Sequence, residues 1–314
     1  MQNSKSNPVK YSKEWYAIHG EAEGHSNPLI ALANDYPIRL SKSSFMSYIS
    51  CPRKYWWSNV VGFRGTETWY MTHGTEVHRT LENLYGNWKD EGELRPLFDQ
   101  CWEGQEDYVP YEHEGAVDAL CQLEEERLRR WGEEHFAPVE FEIKHTVRHP
   151  DYPFMLVGKI DGVHRHPDGG LVITELKTGK ATKSKLSKTR KELCFYRYML
   201  SLLGWEDAVY FYYLFPECEN LDLYNELKDK KNTEVWLGDL QGMAVLEKVS
   251  TRSVSAMHKS LNQACEGILN TEWGMKWNDF FCTQWCDYAM SCEAELVGMD
   301  DDPTTTFDPN DDWE

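Results

Sequence analysis

Several features are absent from this chain of 314 residues, and each absence excludes a class of protein. No apolar run approaches the roughly 20 residues that cross a bilayer, so we expect no membrane contact. The first residues, MQNSKSNPVK, lack the apolar segment of a secretory signal, which predicts an intracellular, cytoplasmic location. There is no Gly-x4-Gly-Lys-[Ser/Thr] phosphate loop, which excludes an ATPase motor of that type.

Positive charge is also scarce. The formal net charge is −19, and the segment from Asp300 to the end contains seven acidic residues and no basic one. A charge of this sign argues against a nucleic-acid binder, because such proteins usually carry a basic surface. One run is different: KTGKATKSKLSKTRK, from Lys177 to Lys191, contains lysines and an arginine but no acid. An acidic protein with such a run can still contact phosphates locally.

Composition and charge divide the chain into three expected regions. Residues 1–39 are polar and form an N-terminal arm, residues 40–298 form a single α/β domain, and residues 299–314 form a disordered acidic tail. Within the domain, apolar residues at helical spacing predict helices before and after a set of strands. An acidic, mostly helical stretch at about 89–136 is interpreted as an insertion.

The strands are predicted from the middle of the chain. VEFEIKHTV, FMLVGKIDGVHRH and LVITELK are predicted to be three consecutive strands, and HPDGG joins the last two as a hairpin turn. AVYFYYLFPE and TEVWLGDLQGMAVLEKV are two further strand candidates. Helices are predicted between these groups at about 187–203 and after them at 252–269.

Acidic residues and a lysine fall at the ends of the predicted hairpin strands. Asp161 is expected to close one strand, and Glu175 and Lys177, two apart and therefore on one face, close its partner. Two converging carboxylates bind a hard cation such as Mg²⁺ or Mn²⁺. A neighbouring lysine can orient the attacking water or stabilise negative charge in the transition state. The alternative is a solvated hairpin end with a weak surface salt bridge.

Three more residues are candidates for the same site. His78, near the start of a predicted helix, can supply a neutral nitrogen ligand or be an ordinary helix histidine. Glu192 and Tyr196 are four apart on one helical face. They can orient the lysine, the water or a DNA backbone, and Tyr196 can equally belong to the core.

The order of these motifs resembles that of the RecB-like nucleases of the PD-(D/E)xK superfamily, over about residues 40–295. The motifs are Gly-x-x-x-His, Gly-Lys-Ile-Asp-Gly, Glu-Leu-Lys-Thr-Gly, and a helix with a polar residue four before a tyrosine. The resemblance implies a restriction-endonuclease-like α/β fold, with a central mixed sheet flanked by helices and a C-terminal cysteine region packed on N-terminal helices. It implies metal ligation by His78, Asp161 and Glu175, a water-assisting role for Lys177, and catalytic roles for Tyr196 and Glu192, although the family commonly has glutamine where this chain has Glu192.

The cysteines point to a second metal site. Cys282, Cys286 and Cys292 lie within eleven residues, which favours metal ligation over incidental burial, and Cys51 is the candidate fourth ligand. Four thiolates suit an iron–sulfur cluster or zinc. Some RecB-like nucleases carry one early and three late cysteines that bind a [4Fe-4S] cluster. This resemblance implies such a cluster from Cys51 and the segment 276–295, with Cys-x3-Cys-x5-Cys in place of the usual Cys-x2-Cys-x5-Cys spacing.

The predicted function is that of a metal-dependent DNA nuclease, an exonuclease acting on DNA ends or single strands. Recombination, repair, phage DNA metabolism and CRISPR adaptation are the expected settings, with a recombination, replication or CRISPR protein as a possible partner. The alternatives are a non-catalytic DNA-binding subunit and a zinc-stabilised adaptor. The candidate DNA contacts, which can equally be solvated or structural, are Lys180, Lys183, Lys185, Lys188, Arg190, Arg53 and Lys54, the last two beside Trp56 and Trp57.

Overall fold

The structure is a computed structural model that describes residues 24–63, 65, 69–88, 94–97, 114–205, 208–217, 220–238 and 242–301. Most of the expected N-terminal arm, part of the expected insertion and nearly all of the acidic tail lie outside these residues. None of the described helices is long and apolar enough to span a bilayer.

Strands and helices are numbered in chain order. The strands are β1 (Ile38–Ser41), β2 (Glu140–Arg148), β3 (Phe154–Arg165), β4 (Leu171–Leu176), β5 (Ala208–Phe215), β6 (Thr233–Leu237) and β7 (Met243–Lys248). The helices are α1 (Pro28–Ala33), α2 (Lys42–Ser50), α3 (Pro52–Tyr55), α4 (Trp69–Asn87), α5 (Glu114–Trp131), α6 (Glu133–Phe136), α7 (Lys183–Leu202), α8 (Leu221–Leu227), α9 (Thr251–Leu269), α10 (Asp279–Trp285) and α11 (Ala289–Asp301), with a π-helical turn at Trp56–Val61.

The strands form one mixed sheet in the order β1-β3-β4-β5-β7-β6, with β2 paired to β3. β2, β3 and β4 pair antiparallel in succession, β4 and β5 are parallel, and β7 pairs antiparallel with both β5 and β6. The parallel step is made possible by α7, which crosses from the end of β4 to the start of β5. A mixed sheet flanked by helices confirms the predicted fold class.

β4 lies at the centre of the sheet, and all six of its residues are buried. Its side chains alternate, so Val172 and Leu176 share a face, and both pack in a core cluster with Leu81 of α4 and Leu120 of α5. Glu175 lies on the opposite face, with α7 packed against β4. Burial of all six residues of LVITEL, including Thr174 and Glu175, is typical of a strand covered on both faces.

Two sequence expectations about the elements change. The segment TEVWLGDLQGMAVLEKV forms two antiparallel strands, β6 and β7, instead of one. The helix predicted at about 187–203 begins four residues earlier, because Thr182 caps it by accepting a hydrogen bond from the backbone N–H of Lys185 at 3.1 Å.

The chain divides into two compact units, which are described separately. One comprises residues 40–42 and 67–262, with most of the sheet; the other comprises residues 1–39, 43–66 and 263–314. In the second unit, Trp57 of the π-helical turn packs with Tyr288 and Cys292 from the C-terminal segment. Tyr48 of α2 donates a hydrogen bond to the carbonyl of Glu272 at 3.0 Å. The C-terminal cysteine region therefore packs on N-terminal helices, as predicted.

Candidate active site

The predicted hairpin brings Asp161 and Glu175 opposite each other. β3 and β4 pair antiparallel as far as Gly162 with Thr174, so the next step along the two strands juxtaposes the two acidic residues. Asp161 does not close its strand as expected, since β3 continues to Arg165. The reason is the hairpin geometry: the end of β3 pairs with the start of β4, and Glu175 lies near the far end of β4.

The two carboxylates have different electrostatic surroundings. Asp161 Oδ2 accepts a hydrogen bond from the backbone N–H of Leu176 at 2.8 Å, but burial and the charge of Glu175 raise the pKa of Asp161 to about 6. Burial alone would also raise the pKa of Glu175, but the ammonium groups of Lys177 and Lys42 outweigh it and lower this pKa to about 2. Asp161 therefore faces excess negative charge, which a bound cation would balance.

His78 contributes a nitrogen to the same place. Its Nδ1 lies 3.6 Å from Asp161 Oδ2. The helix does not start near His78 as expected: α4 begins at Trp69 and continues through Gly74. A Cβ at Gly74 would lie 3.3 Å from Thr178 Oγ1, so the glycine allows the helix to approach the chain just after Lys177. This close approach is a physical reason for the glycine in the Gly-x-x-x-His motif.

Glu142 is a site residue that the sequence reasoning missed. Its carboxylate lies 3.7 Å from His78 Nδ1 and forms an ion pair with Lys159. Ligand atoms of His78, Glu142 and Asp161 all lie within 4.8 Å of one another. Burial would raise the pKa of Glu142, but hydrogen bonds with His78 and Lys159 outweigh it and lower the pKa. These groups line an open cavity of about 510 Å³.

The position of Glu142 follows from the register of β2 against β3. The register is continuous from Glu140 with Val163 to Arg148 with Met155, which sets Glu142 opposite Asp161. Glu142 is left out of the pairing and has a φ of 52°, a left-handed conformation that costs a non-glycine residue energy. Counting outward from the turn between the two predicted strands would have given this register, and no local pattern marks Glu142 itself.

Glu175 belongs to a compact group of four charged side chains. Its Oε1 lies 2.5 Å from Lys177 Nζ and 2.7 Å from Lys42 Nζ, whereas its Oε2 is buried and accepts no hydrogen bond from the described residues. Glu192 of α7 lies 2.9 Å from Lys177 Nζ and 3.4 Å from Lys42 Nζ. Lys42, the first residue of α2, was not among the predicted residues, because no motif links it to this site.

Tyr196 is buried beneath this group. Its hydroxyl donates a hydrogen bond to the carbonyl of Lys159 at 2.6 Å, two residues before Asp161 on β3. A Cβ at Gly158 would lie only 2.6 Å from the Tyr196 ring, so this glycine makes room for the tyrosine. The structure thus places Tyr196 where it holds the strand that carries Asp161.

The basic candidates have different surroundings. Arg190 makes a bidentate ion pair with Glu247, at 2.5 and 2.7 Å, and Lys185 bonds the carbonyls of Thr178 and Gly179. Lys183 is exposed but pairs with Glu226. The other exposed basic side chains of this run are Lys180, Lys188 and Lys191.

In the second unit, all four predicted cluster ligands converge. Cys51, Cys282, Cys286 and Cys292 line one cavity of about 380 Å³. The backbone N–H groups of Lys276 and Asn278 donate hydrogen bonds to the sulfur atoms of Cys51 and Cys282, each at 3.4 Å. Burial raises the pKa of Cys292 to about 11.

The two basic candidates near this cavity have structural contacts. Arg53 lies 3.4 Å from Glu295 and 5.0 Å from the centre of the Trp56 ring. Lys54 lines the cavity itself. Trp57 is buried, so of the two tryptophans only Trp56 has partial exposure.

Comparison with known proteins gives one family. A family model described as the PD-(D/E)XK nuclease superfamily matches residues 39–293. Among solved structures, that of SSO0001 is 14% identical, with 82% of this chain and 87% of that chain covered and a TM-score of 0.36. The structure of LHK-Exo in complex with dAMP is 9% identical, with 72% and 98% covered and a TM-score of 0.27. No match is found among curated proteins.

Proposed function

Because this chain belongs to the PD-(D/E)XK nuclease superfamily, we propose that it is a metal-dependent DNA nuclease of the RecB-like branch. The observation that carries this proposal is the convergence of His78, Asp161 and the Glu175–Lys177 pair on one side of the hairpin. These residues come from α4, β3 and β4, and their chemistry is that of a site for phosphodiester hydrolysis.

The side chains present fit a divalent cation. One buried oxygen of Glu175 is without a hydrogen-bond partner among the described residues, and carboxylate oxygens and a histidine nitrogen suit Mg²⁺ or Mn²⁺. The residues that would hold the ion are His78, Asp161 and Glu175, with Glu142 beside them. When bound, such an ion lowers the pKa of water and neutralises charge on the phosphate.

The remaining residues are assigned roles by their positions. Lys177 supports the attacking water and the developing negative charge, since its ammonium group is half-buried next to Glu175. Glu192 also holds this ammonium group, at 2.9 Å. Tyr196 keeps β3, and with it Asp161, in position.

The substrate proposed is DNA, cut as an exonuclease from ends or along single strands. Lys180, Lys183 and Lys188 are exposed at or near the start of α7, directly after the strand that carries Glu175, and suit contacts with phosphates. Arg190 is a weaker candidate, because its guanidinium group is held by Glu247. Recombination, repair, phage DNA metabolism or CRISPR adaptation in the cytoplasm are the proposed settings, with a partner protein from one of these pathways.

A [4Fe-4S] cluster is proposed for the four cysteines of the second unit. A cavity of about 380 Å³ is larger than a single zinc ion needs, and backbone N–H groups directed at sulfur are one of the means by which proteins tune iron–sulfur clusters. The cluster would be held by Cys51, near the start of the described chain, and by Cys282, Cys286 and Cys292. Its proposed role is structural.

A non-catalytic DNA-binding subunit is the alternative. The ion pairs among Glu175, Lys177 and Glu192 argue against it, because a binding module has no need for buried carboxylates around a lysine. A zinc-stabilised adaptor is the third possibility. The colour of the purified protein distinguishes this possibility from an iron–sulfur protein. An iron–sulfur protein is brown and absorbs at about 400 nm, whereas a zinc protein is colourless.

The test is degradation of end-labelled single- and double-stranded DNA with Mg²⁺ or Mn²⁺. Wild type is compared with Asp161→Ala and Lys177→Ala, and with Lys259→Ala, an exposed lysine on α9, as the matched control. We expect cleavage by wild type and the control, and loss of at least about a hundredfold in both site variants with the fold retained. Folded wild type that cleaves neither substrate with either metal would refute the nuclease and favour the DNA-binding subunit.

A further inference from the structure

Lys42 is a second lysine at the Glu175–Lys177 pair. It follows β1 directly, and its side chain is 17% exposed. Its Nζ lies 2.7 Å from Glu175 and 3.4 Å from Glu192. Lys177 contacts the same two carboxylates, at 2.5 and 2.9 Å. Each of the two ammonium groups therefore contacts both carboxylates.

The charges of this group balance only when Lys42 is included. Glu175 and Glu192 are 1% and 6% exposed, so neither carboxylate can be screened effectively by water. With Lys177 alone, two buried negative charges would share one positive charge. Leaving a buried charge without a partner is strongly destabilising, and it would add negative charge where a phosphate has to bind.

Lys42 is also more confined than Lys177. Besides the two carboxylates, the face of the Tyr196 ring lies 4.9 Å from its Nζ. Lys177 is 25% exposed and lies at the end of β4. Both ammonium groups are therefore largely enclosed by protein, and that of Lys42 has the additional contact with the Tyr196 ring.

We infer that Lys42 is a positioning residue whose positive charge balances the negative charge of Glu192. This allows α7 to carry a carboxylate at position 192 while the ammonium group of Lys177 stays available to the attacking water. The inference rests on the proposed nuclease function. It explains how a site of this type accepts glutamate at position 192. It also predicts that Lys42 and Glu192 are energetically coupled, so that removing both is less harmful than removing Lys42 alone.

The test uses Lys42→Met, Glu192→Gln, the double variant and Lys42→Arg, with Lys259→Met as the control. Binding of Mn²⁺ without DNA is measured by electron paramagnetic resonance. We expect Lys42→Met to bind Mn²⁺ roughly tenfold more tightly, because a positive charge has been removed, and Glu192→Gln to bind it more weakly by a similar factor. The double variant and Lys42→Arg keep the net charge of wild type and should bind Mn²⁺ within about threefold of it, so the coupling is measured by turnover and melting.

Turnover and thermal unfolding complete the test. At saturating Mn²⁺ we expect kcat to fall at least about tenfold in Lys42→Met and to recover in the double variant. Without metal, the melting temperature should fall in Lys42→Met and be regained when Glu192→Gln is added. A double variant that binds Mn²⁺ more weakly and melts lower than either single variant would overturn the inference. If wild type cleaves no DNA, the nuclease function fails, and the Mn²⁺ and melting shifts still decide the role of Lys42.

Discussion

Replacing Tyr196 with phenylalanine separates a positioning role from a direct role in the reaction. The Tyr196 hydroxyl donates a hydrogen bond to the carbonyl of Lys159 at 2.6 Å, and the tyrosine is 2% exposed. Without the hydroxyl, this carbonyl loses its donor in a place that water reaches poorly. Such a loss costs about 1–3 kcal/mol, and the ring packing is retained.

We therefore expect Tyr196→Phe to lower the free energy of unfolding by about 2 kcal/mol, and the melting temperature by roughly 3 °C. The hydroxyl is directed at β3 and not at the cavity, so kcat should stay within about fivefold of wild type, a loss of less than about 1 kcal/mol. Thermal unfolding followed by circular dichroism and the end-labelled DNA assay measure the two quantities.

The control is Tyr224→Phe on α8. This tyrosine is half-buried, and its hydroxyl makes no hydrogen bond with the described residues, so both quantities should be unchanged. A loss of kcat greater than about a hundredfold in Tyr196→Phe, with an unchanged melting temperature, would contradict the argument. The hydroxyl would then act on the substrate or the water and not on the strand.

Three further predictions concern other parts of the molecule. Arg127 and Glu124 form a fully buried ion pair, so Arg127→Met should cost about 3–5 kcal/mol in chemical denaturation, and adding Glu124→Leu should recover most of it. Cys292→Ser should reduce the iron content and the absorbance near ~400 nm and lower the melting temperature, whereas a colourless wild type that binds zinc would contradict the cluster. Replacing Lys180 and Lys188 with alanine should reduce the slope of log K against log salt for DNA binding by about 1.5, and an unchanged slope would exclude both as phosphate contacts.

The fold class could be predicted because its signals are local. The turn HPDGG and the apolar strands on either side of it specify one hairpin, and that hairpin is present as β3 and β4. The same local reasoning misplaced boundaries. It took Asp161 for a strand end and His78 for the start of a helix, because the length of a strand depends on its neighbour in the sheet, and a helix can continue through Gly74 when tertiary packing supports it.

By itself, the sequence determined the family and the convergence of Asp161 with Glu175, because residues equally spaced from a hairpin turn must meet. Only the tertiary structure decided which other charges join them. Lys42 is 133 residues from Glu175 in the chain, and Glu142 reaches the site through the register of β2 against β3 and a left-handed backbone. Contacts of this kind depend on how whole helices and strands pack. A buried carboxylate pairs with whichever cationic side chain lies close to it in space, and that residue can be far away in the sequence.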